Sequence, residues 1–201
     1  MVARTAYLLT TNTTSERTLF SQDILQQIGF NVQIIQHTPH ADAKVSNKLS
    51  MLGIYKTILN SDEEFAYVFE DDINMLEPIT LDEIVNYEAI SPRIFYLGCC
   101  VPYNNDTITA TANTINNHTV FQVVGKIQGL HSIGLSKKGA EALLNFVQSN
   151  DDPNKCLDEI VGEFTAYNPA PILRYDLVSY IPSHRGIIFQ DRNRFPSMIG
   201  E

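Results

Sequence analysis

Three consecutive carboxylates, Glu70-Asp71-Asp72, follow directly on the apolar run Phe65-Ala66-Tyr67-Val68-Phe69. Side by side at the end of a buried strand, such charges repel one another unless a cation is shared among them. Hard oxygen donors suit Mg²⁺ or Mn²⁺, and a dication held there can also grip a diphosphate. In open α/β sheets the carboxyl end of a strand is also where ligands bind. The ordinary alternative is a solvated acidic turn, or a cap for the helix that follows. Other residues with chemical potential lie elsewhere in the chain, and each has its own plain reading. Asp158-Glu159 can supply an acid or base, or can simply favour a helix N-terminus through its dipole. His131 and His184 can ligate a metal or rest satisfied in a core. Lys48 can reach a sugar or phosphate oxygen, or flank its helix in water.

The elements that must position these residues follow from periodicity. Ala6 to Leu9 reads as a buried strand, and Thr13 with Glu16 fits a capping box opening a helix. That helix carries Phe20, Ile24 and Ile28 and stops at Gly29. Val32 to Ile35 is a second strand; Leu49, Leu52, Tyr55 and Leu59 mark a second helix; Phe65 to Phe69 is a third strand. This β-α-β-α-β alternation implies parallel strands with helices on their faces. Thr80 and Glu83 box a short helix, Arg93 to Leu97 is a strand closed by Gly98, and Pro102 to Thr119 is a long loop or hairpin excursion. Phe121 to Val124 re-enters the sheet, and Ser136 caps a helix with Ala140, Leu143, Leu144 and Val147 on one face. A last helix spans roughly Leu157 to Phe164, and the tail from Pro169 is irregular. Ser61 with Glu64 also fits a capping box, but the Phe-rich strand behind it marks a false positive. The expectation is one domain over residues 1–201, an α/β fold with a mixed, mostly parallel sheet flanked by helices.

Composition narrows the function classes. The 201 residues are 44% hydrophobic and 18% charged, enough to bury a full core and to exclude disorder. Twenty-three acids against fourteen bases give a net charge of −9, which disfavours nucleic acid and anionic membrane surfaces as partners. A nucleotide bound through a divalent metal stays compatible, since the cation supplies the missing charge. Cys99, Cys100 and Cys156 cannot all pair with one another, and adjacent Cys99-Cys100 lacks metal-ligand spacing, so small buried thiols in a reducing compartment are expected. No apolar leader precedes the first strand and no run is long enough to span a bilayer. A cytoplasmic protein is the expectation, with the sequons at Asn12, Asn105 and Asn117 unmodified.

The order of these motifs resembles the GT-A glycosyltransferases, most of all the branch containing lipopolysaccharide and procollagen sugar transferases, glycosyltransferase family 25. The polar loop with Arg17, the Lys48-Leu49-Ser50 helix, the strand ending in Glu-Asp-Asp and Leu97-Gly98 all occur in that order. The stretch Gly129-Leu130-His131-Ser132-Ile133-Gly134-Leu135-Ser136-Lys137-Lys138-Gly139-Ala140 looks like the family's Gly-Thr-His-Ala-Tyr-Leu-Ile-Ser-Lys-Lys-Gly-Ala. Leu157-Asp158-Glu159 resembles its Val-Asp-Glu, and Gln190-Asp191 followed by Ser197-Met198-Ile199 is similar to its Gln-Asp and Ser-x-Ile ending. The family's Leu-Ser-His reads Leu49-Ser50-Met51, and its Ala-Tyr after the histidine reads Ser132-Ile133. These departures set the chain at a distance from that branch, toward the short transferases of large DNA viruses, and they bear on the acceptor.

The resemblance implies a metal-dependent transfer of a sugar from a nucleotide-diphosphate sugar, a UDP-sugar first, to a glycan or glycoprotein acceptor. It implies that Asp72 ligates Mn²⁺ or Mg²⁺ directly, that Glu70 acts through metal-bound water, and that Asp71 meets the donor ribose. Thr10, Thr11 and Asn12 would line the nucleotide pocket, with Arg17 near the phosphates or holding the loop; as a plain alternative Arg17 is a surface cation. Asp158 would be the base of an inverting transfer, His184 a late metal ligand, and His131 an acceptor-side or structural residue. Two other functions compete. A sugar-phosphate nucleotidyltransferase usually needs a Gly-rich loop after the first strand, and Thr10-Thr11-Asn12-Thr13-Thr14-Ser15 has no glycine. A non-catalytic carbohydrate-binding module could share the fold. There is no Gly-x-Ser-x-Gly elbow, Walker loop or Gly-x-Gly-x-x-Gly fingerprint.

Overall fold

A computed structural model describes residues 3–91, 93–100, 108–177 and 183–196. The sequon at Asn105 and the Ser197-Met198-Ile199 motif lie outside the described residues. The chain opens with β1 (Thr5–Thr10), α1 (Glu16–Ile28), β2 (Asn31–Gln36), α2 (Ala43–Asn60) and β3 (Phe65–Glu70). It continues through β4 (Ile73–Met75), α3 (Leu81–Glu88), β5 (Ile94–Tyr96), β6 (Gly98–Cys100), β7 (Ile108–Ile115), β8 (His118–Val123) and β9 (Ser132–Ser136). Then come α4 (Lys137–Ser149), α5 (Leu157–Tyr167) and the short strands β10 (Ala170–Ile172), β11 (His184–Gly186) and β12 (Ile188–Gln190).

Eight strands form the main sheet in the order β2-β1-β3-β9-β5-β10-β8-β7. Strands β2, β1, β3, β5, β10 and β7 run one way, with β9 and β8 opposed, so the sheet is mixed and mostly parallel as expected. Its central strands are buried on both faces. Ala6, Leu8, Tyr67 and Phe69 pack with Ile24, Leu25 and Ile28 of α1 and with Ile84 and Tyr87 of α3. The alternate residues Tyr7, Leu9, Ala66 and Val68 pack with Met51, Ile54 and Ile58 of α2, Leu143 and Val147 of α4, and Ile160 and Phe164 of α5. This period of two is what a strand covered on both sides must show. The 102–119 excursion is, in its described part, the β7–β8 hairpin, turned by Asn116 (φ 50°) and Asn117 (φ 67°). Two asparagines tolerate the left-handed pair that a tight hairpin turn demands.

Four expectations are corrected. The N-cap of α1 is Ser15, whose side chain accepts from Thr18 N, and not Thr13. The face of α2 turned inward carries Met51, Ile54, Tyr55 and Ile58, whereas Leu49 is exposed; the apolar residues of that helix are spread widely enough to suggest two stripes. The 93–97 strand is only Ile94–Tyr96, and Gly98 opens β6 instead of ending a strand. The tail after Pro169 is not irregular: β10 joins the main sheet between β5 and β8, β11 pairs β6, and β12 pairs β4. Each is only three residues long, too short for a period to register in the sequence. Among the described residues no helix is long and apolar enough to cross a membrane.

The start of α4 is pressed against the strand layer. Gly139 N donates to Ser136 Oγ at 3.0 Å, and Ser136 N donates to Arg93 O at 2.9 Å. A Cβ on Gly139 would stand 1.9 Å from Arg93 O, whereas one on Gly53 in α2 would meet nothing within 4 Å. Gly139→Ala should therefore lower stability by about 2 kcal/mol despite the better helix former, and Tm by roughly 4–8 °C. Gly53→Ala should raise stability by up to about 1 kcal/mol. Thermal denaturation followed by circular dichroism checks both; two changes of the same sign would contradict this packing.

Candidate active site

Strands β1 and β3 lie side by side and parallel, Leu9 level with Glu70, so their carboxyl ends open on one edge. The acidic strip begins there. Beneath it β12 pairs with β4, setting Gln190 opposite Ile73, and Asp191 N donates to Asp72 O at 2.7 Å. Arg17 comes from the first turn of α1, and Asp158 from the first turn of α5.

Each acid is held differently. Asp71 Oδ2 accepts from Thr10 Oγ1 at 2.5 Å and lies 3.4 Å from Thr18 Oγ1. Its Oδ1 is 2.9 Å from Arg17 Nε, an ion pair whose N–H is off line for a hydrogen bond. Asp72 is only 2% exposed, and its Oδ2 faces two guanidiniums, Arg17 Nη2 at 3.3 Å and Arg192 Nη1 at 3.2 Å. Gln190 Nε2 donates to Glu70 Oε2 at 2.8 Å and lies 3.4 Å from Asp72 Oδ1. Burial, then the charge of Asp72, push Glu70 up to about 8, with Arg192 opposing. Burial also raises Asp72, against the pull of Arg192 and Arg17. Asp158 is raised by burial, partly offset by its hydrogen bond from Glu159 N.

A cavity of about 390 Å³ opens above the strip, within the range of small-molecule sites. Of the residues singled out in the sequence, Thr11, Arg17, Glu70, Asp71, Asp72 and Asp158 line it. Thr10 stands behind, fully buried, as the support of Asp71. Asn12 turns back on its own loop, where Oδ1 accepts from Thr14 N at 3.1 Å. Lys48 faces away, with Nζ 2.6 Å from Asp151 Oδ1. His131 is wholly buried and His184 nearly so, and their rings pack 5.6 Å apart. His184 Nε2 lies 3.3 Å from Cys100 Sγ, and His184 is hydrogen-bonded to Gln190, which in turn donates to Glu70. Arg17 is no surface cation; its side chain is 14% exposed and it binds two of the three acids.

Several lining residues carry no sequence signal of their own. Arg192 and His37 line the cavity, and His37 is lowered by burial at the end of β2. The expectation of three buried thiols holds for Cys99 alone, since Cys100 and Cys156 are half-buried and line the cavity. Only the pairing of β6 with β11, which sets Cys100 opposite His184, reveals the first of these. The carboxylate oxygens of the strip are the donor type a hard dication takes, and here they are held by protein cations and a carboxamide. Glu70 and Asp72 turn oxygens toward one shared donor, Gln190 Nε2, and Asp72 presents its other oxygen to two cationic groups.

No protein-family model and no curated protein matches the chain. Among solved structures it is similar to A197 from STIV, at 11% identity and a TM-score of 0.47, over 85% of this chain and 81% of that one. It is also similar to the apo-form glycosyltransferase GlyE of Streptococcus pneumoniae TIGR4, at 8% identity and a TM-score of 0.42, over 84% of this chain and 44% of that one. A third is a CMP:2-keto-3-deoxy-manno-octonic acid synthetase complexed with CTP, at 7% identity and a TM-score of 0.40, over 74% and 82% of the two chains. At these scores the functional reading rests on the site itself.

The raised Glu70 has a consequence for stability. Its neutral form is favoured in the folded state, so its contribution is complete below the ordinary value of 4.5 and is lost as pH climbs toward about 8. Glu70→Gln should therefore raise Tm by several degrees at pH 8 in metal-free buffer and leave it nearly unchanged at pH 4.5. Differential scanning calorimetry at the two pH values checks this; an equal effect at both would show that Glu70 is already ionised in the fold.

Proposed function

We propose that the chain is a glycosyltransferase of the GT-A kind, moving a sugar from a nucleotide-diphosphate sugar, a UDP-sugar first, to a hydroxyl of a glycan or glycoprotein. One observation carries the reading: the acidic strip at the end of β3 and Asp158 at the start of α5, far apart in sequence, line the same cavity. Asp72 and Glu70 would hold Mn²⁺ or Mg²⁺, which supplies Lewis-acid stabilisation to the departing nucleoside diphosphate. Asp71, pinned by Thr10 and Arg17, would meet the donor's ribose. Thr11 lines the cavity beside it. In an inverting transfer the acceptor oxygen attacks the anomeric carbon, and the bond to the diphosphate oxygen breaks with its electron pair. Asp158 takes the hydroxyl proton; burial raises its basicity for that work.

The guanidiniums on Asp72 favour a second reading, in which Arg17 and Arg192 neutralise the diphosphate themselves and no dication is needed. The two readings part on chelation, because only the first loses donor binding in EDTA.

A hydrolysis screen of nucleotide sugars tests the proposal, since transferases often leak donor to water. Release of nucleoside diphosphate from at least one sugar donor in Mn²⁺ is the expected result. Asp158→Asn should cut transfer by about 10²–10⁴-fold while leaving donor affinity unchanged. Asp72→Asn should lose both. A folded chain inert toward every donor, or an Asp158→Asn variant that loses affinity in step with turnover, would overturn the assignment.

A further inference from the structure

At the edge of the cavity, where Cys100 lines it, lies a cluster that the transfer does not use. Cys100, His131 and His184 each offer a ligand atom, and the three atoms lie within 4.8 Å of one another. Three separate parts of the chain supply them: β6, the approach to β9, and β11. The pairing of β6 with β11 sets Cys100 level with His184, bringing Sγ to 3.3 Å from Nε2. His131 Nε2 lies 3.4 Å from the carbonyl oxygen of Ile188, which can only accept, so the proton sits on Nε2 and Nδ1 keeps its lone pair. That Nδ1 is fully buried and has no hydrogen-bond partner. A buried acceptor without a donor costs about 1–3 kcal/mol, and a ligand supplying positive charge would remove that cost.

The space beside the cluster is kept by glycine. Gly129 has φ 83°, and a Cβ there would stand 2.9 Å from Cys100 Sγ and 3.1 Å from His131 Nδ1. The outer partners are those of a metal site as well. A ligating histidine usually gives its other ring nitrogen to a carbonyl or hydroxyl. His131 meets the Ile188 carbonyl in this way, and His184 Nδ1 lies 3.2 Å from Ser183 Oγ.

The geometry points to a second metal site, distinct from the acidic strip, in which Cys100 Sγ, His131 Nδ1 and His184 Nε2 bind a borderline-soft transition ion of the Zn²⁺ class. One sulfur and two imidazole nitrogens are the donors such ions prefer over Mg²⁺ or Mn²⁺. Tetrahedral bonds of about 2.0–2.3 Å place ligand atoms roughly 3.3–3.8 Å apart, so side-chain rotations moving them by about 1 Å close the shell. Binding releases the thiol proton of Cys100 to solvent and leaves both imidazoles neutral. A fourth position falls to Gln190, whose Oε1 is 3.9 Å from Cys100 Sγ, or to water from the cavity that Cys100 and Gln190 border. Because the same carboxamide donates to Glu70 through Nε2, an ion here fixes the orientation of the group that bridges Glu70 and Asp72.

Titration of the purified full chain with Co²⁺ tests the site. A near-ultraviolet thiolate-to-cobalt charge-transfer band is expected to saturate at one Co²⁺ per chain, and Zn²⁺ abolishes it by displacement. The band should vanish in Cys100→Ala and persist in Cys99→Ala and in Asp72→Asn. A folded wild-type chain without the band, or a band that survives Cys100→Ala, overturns the proposal. Should Cys100→Ala not fold, the zinc X-ray absorption spectrum of the wild-type chain decides. One sulfur at about 2.3 Å with two nitrogens near about 2.0 Å supports it, and an all-oxygen shell rejects it. Failure here leaves the transferase reading intact, since donor binding there depends on Asp72 and not on Cys100.

Discussion

Arg17 and Arg192 approach one carboxylate oxygen of Asp72 from opposite ends of the chain, one from the first turn of α1 and the other just after β12. An unpaired carboxylate as buried as Asp72 would cost several kcal/mol, so the acidic strip can exist only where such cations converge on it. Meeting that requirement draws the tail under the first β-α unit. The backbone bond from Asp191 to Asp72 and the pairing of β12 with β4 follow the same path.

This neutralisation gives the site its chemical character. Guanidiniums are matched to phosphate as well as to carboxylate, and both arginines line the cavity into which a diphosphate would enter. Glu70 lacks a guanidinium of its own and depends on the Gln190 carboxamide, which is why burial drives it so far toward its neutral form. Gln190 thus stands between two sets of donors, hard oxygens on one side and the sulfur and imidazoles on the other. A small change in how that carboxamide is turned would alter both.

Much of the frame was legible in the sequence. The run from β1 to β3 shows in its alternation of short apolar stretches with amphipathic helices, and the abrupt end of Phe65–Phe69 in three acids marks the edge where the cavity lies. Asp158 was reachable through the motif around it, whereas Arg192 had no pattern to announce it. Strand β9 was hidden: Ser132-Ile133-Gly134-Leu135 sits antiparallel between β3 and β5, buried on both sides, and so lacks the polar alternation of a half-exposed strand. The three-residue strands of the tail are set by their partners and not by their own composition. For that reason the Cys100, His131 and His184 cluster, assembled by such pairings, could not be read from spacing at all.

The central claim is that the acidic strip and its arginines bind a nucleoside diphosphate together with a dication. Thermal-shift titration of the metal-chelated chain with UDP or GDP, repeated after adding Mn²⁺, tests it most directly. A stabilisation that grows with nucleotide concentration in Mn²⁺, and is absent in EDTA, is the predicted result. Melting curves that stay flat with every nucleotide, with or without the metal, would contradict it.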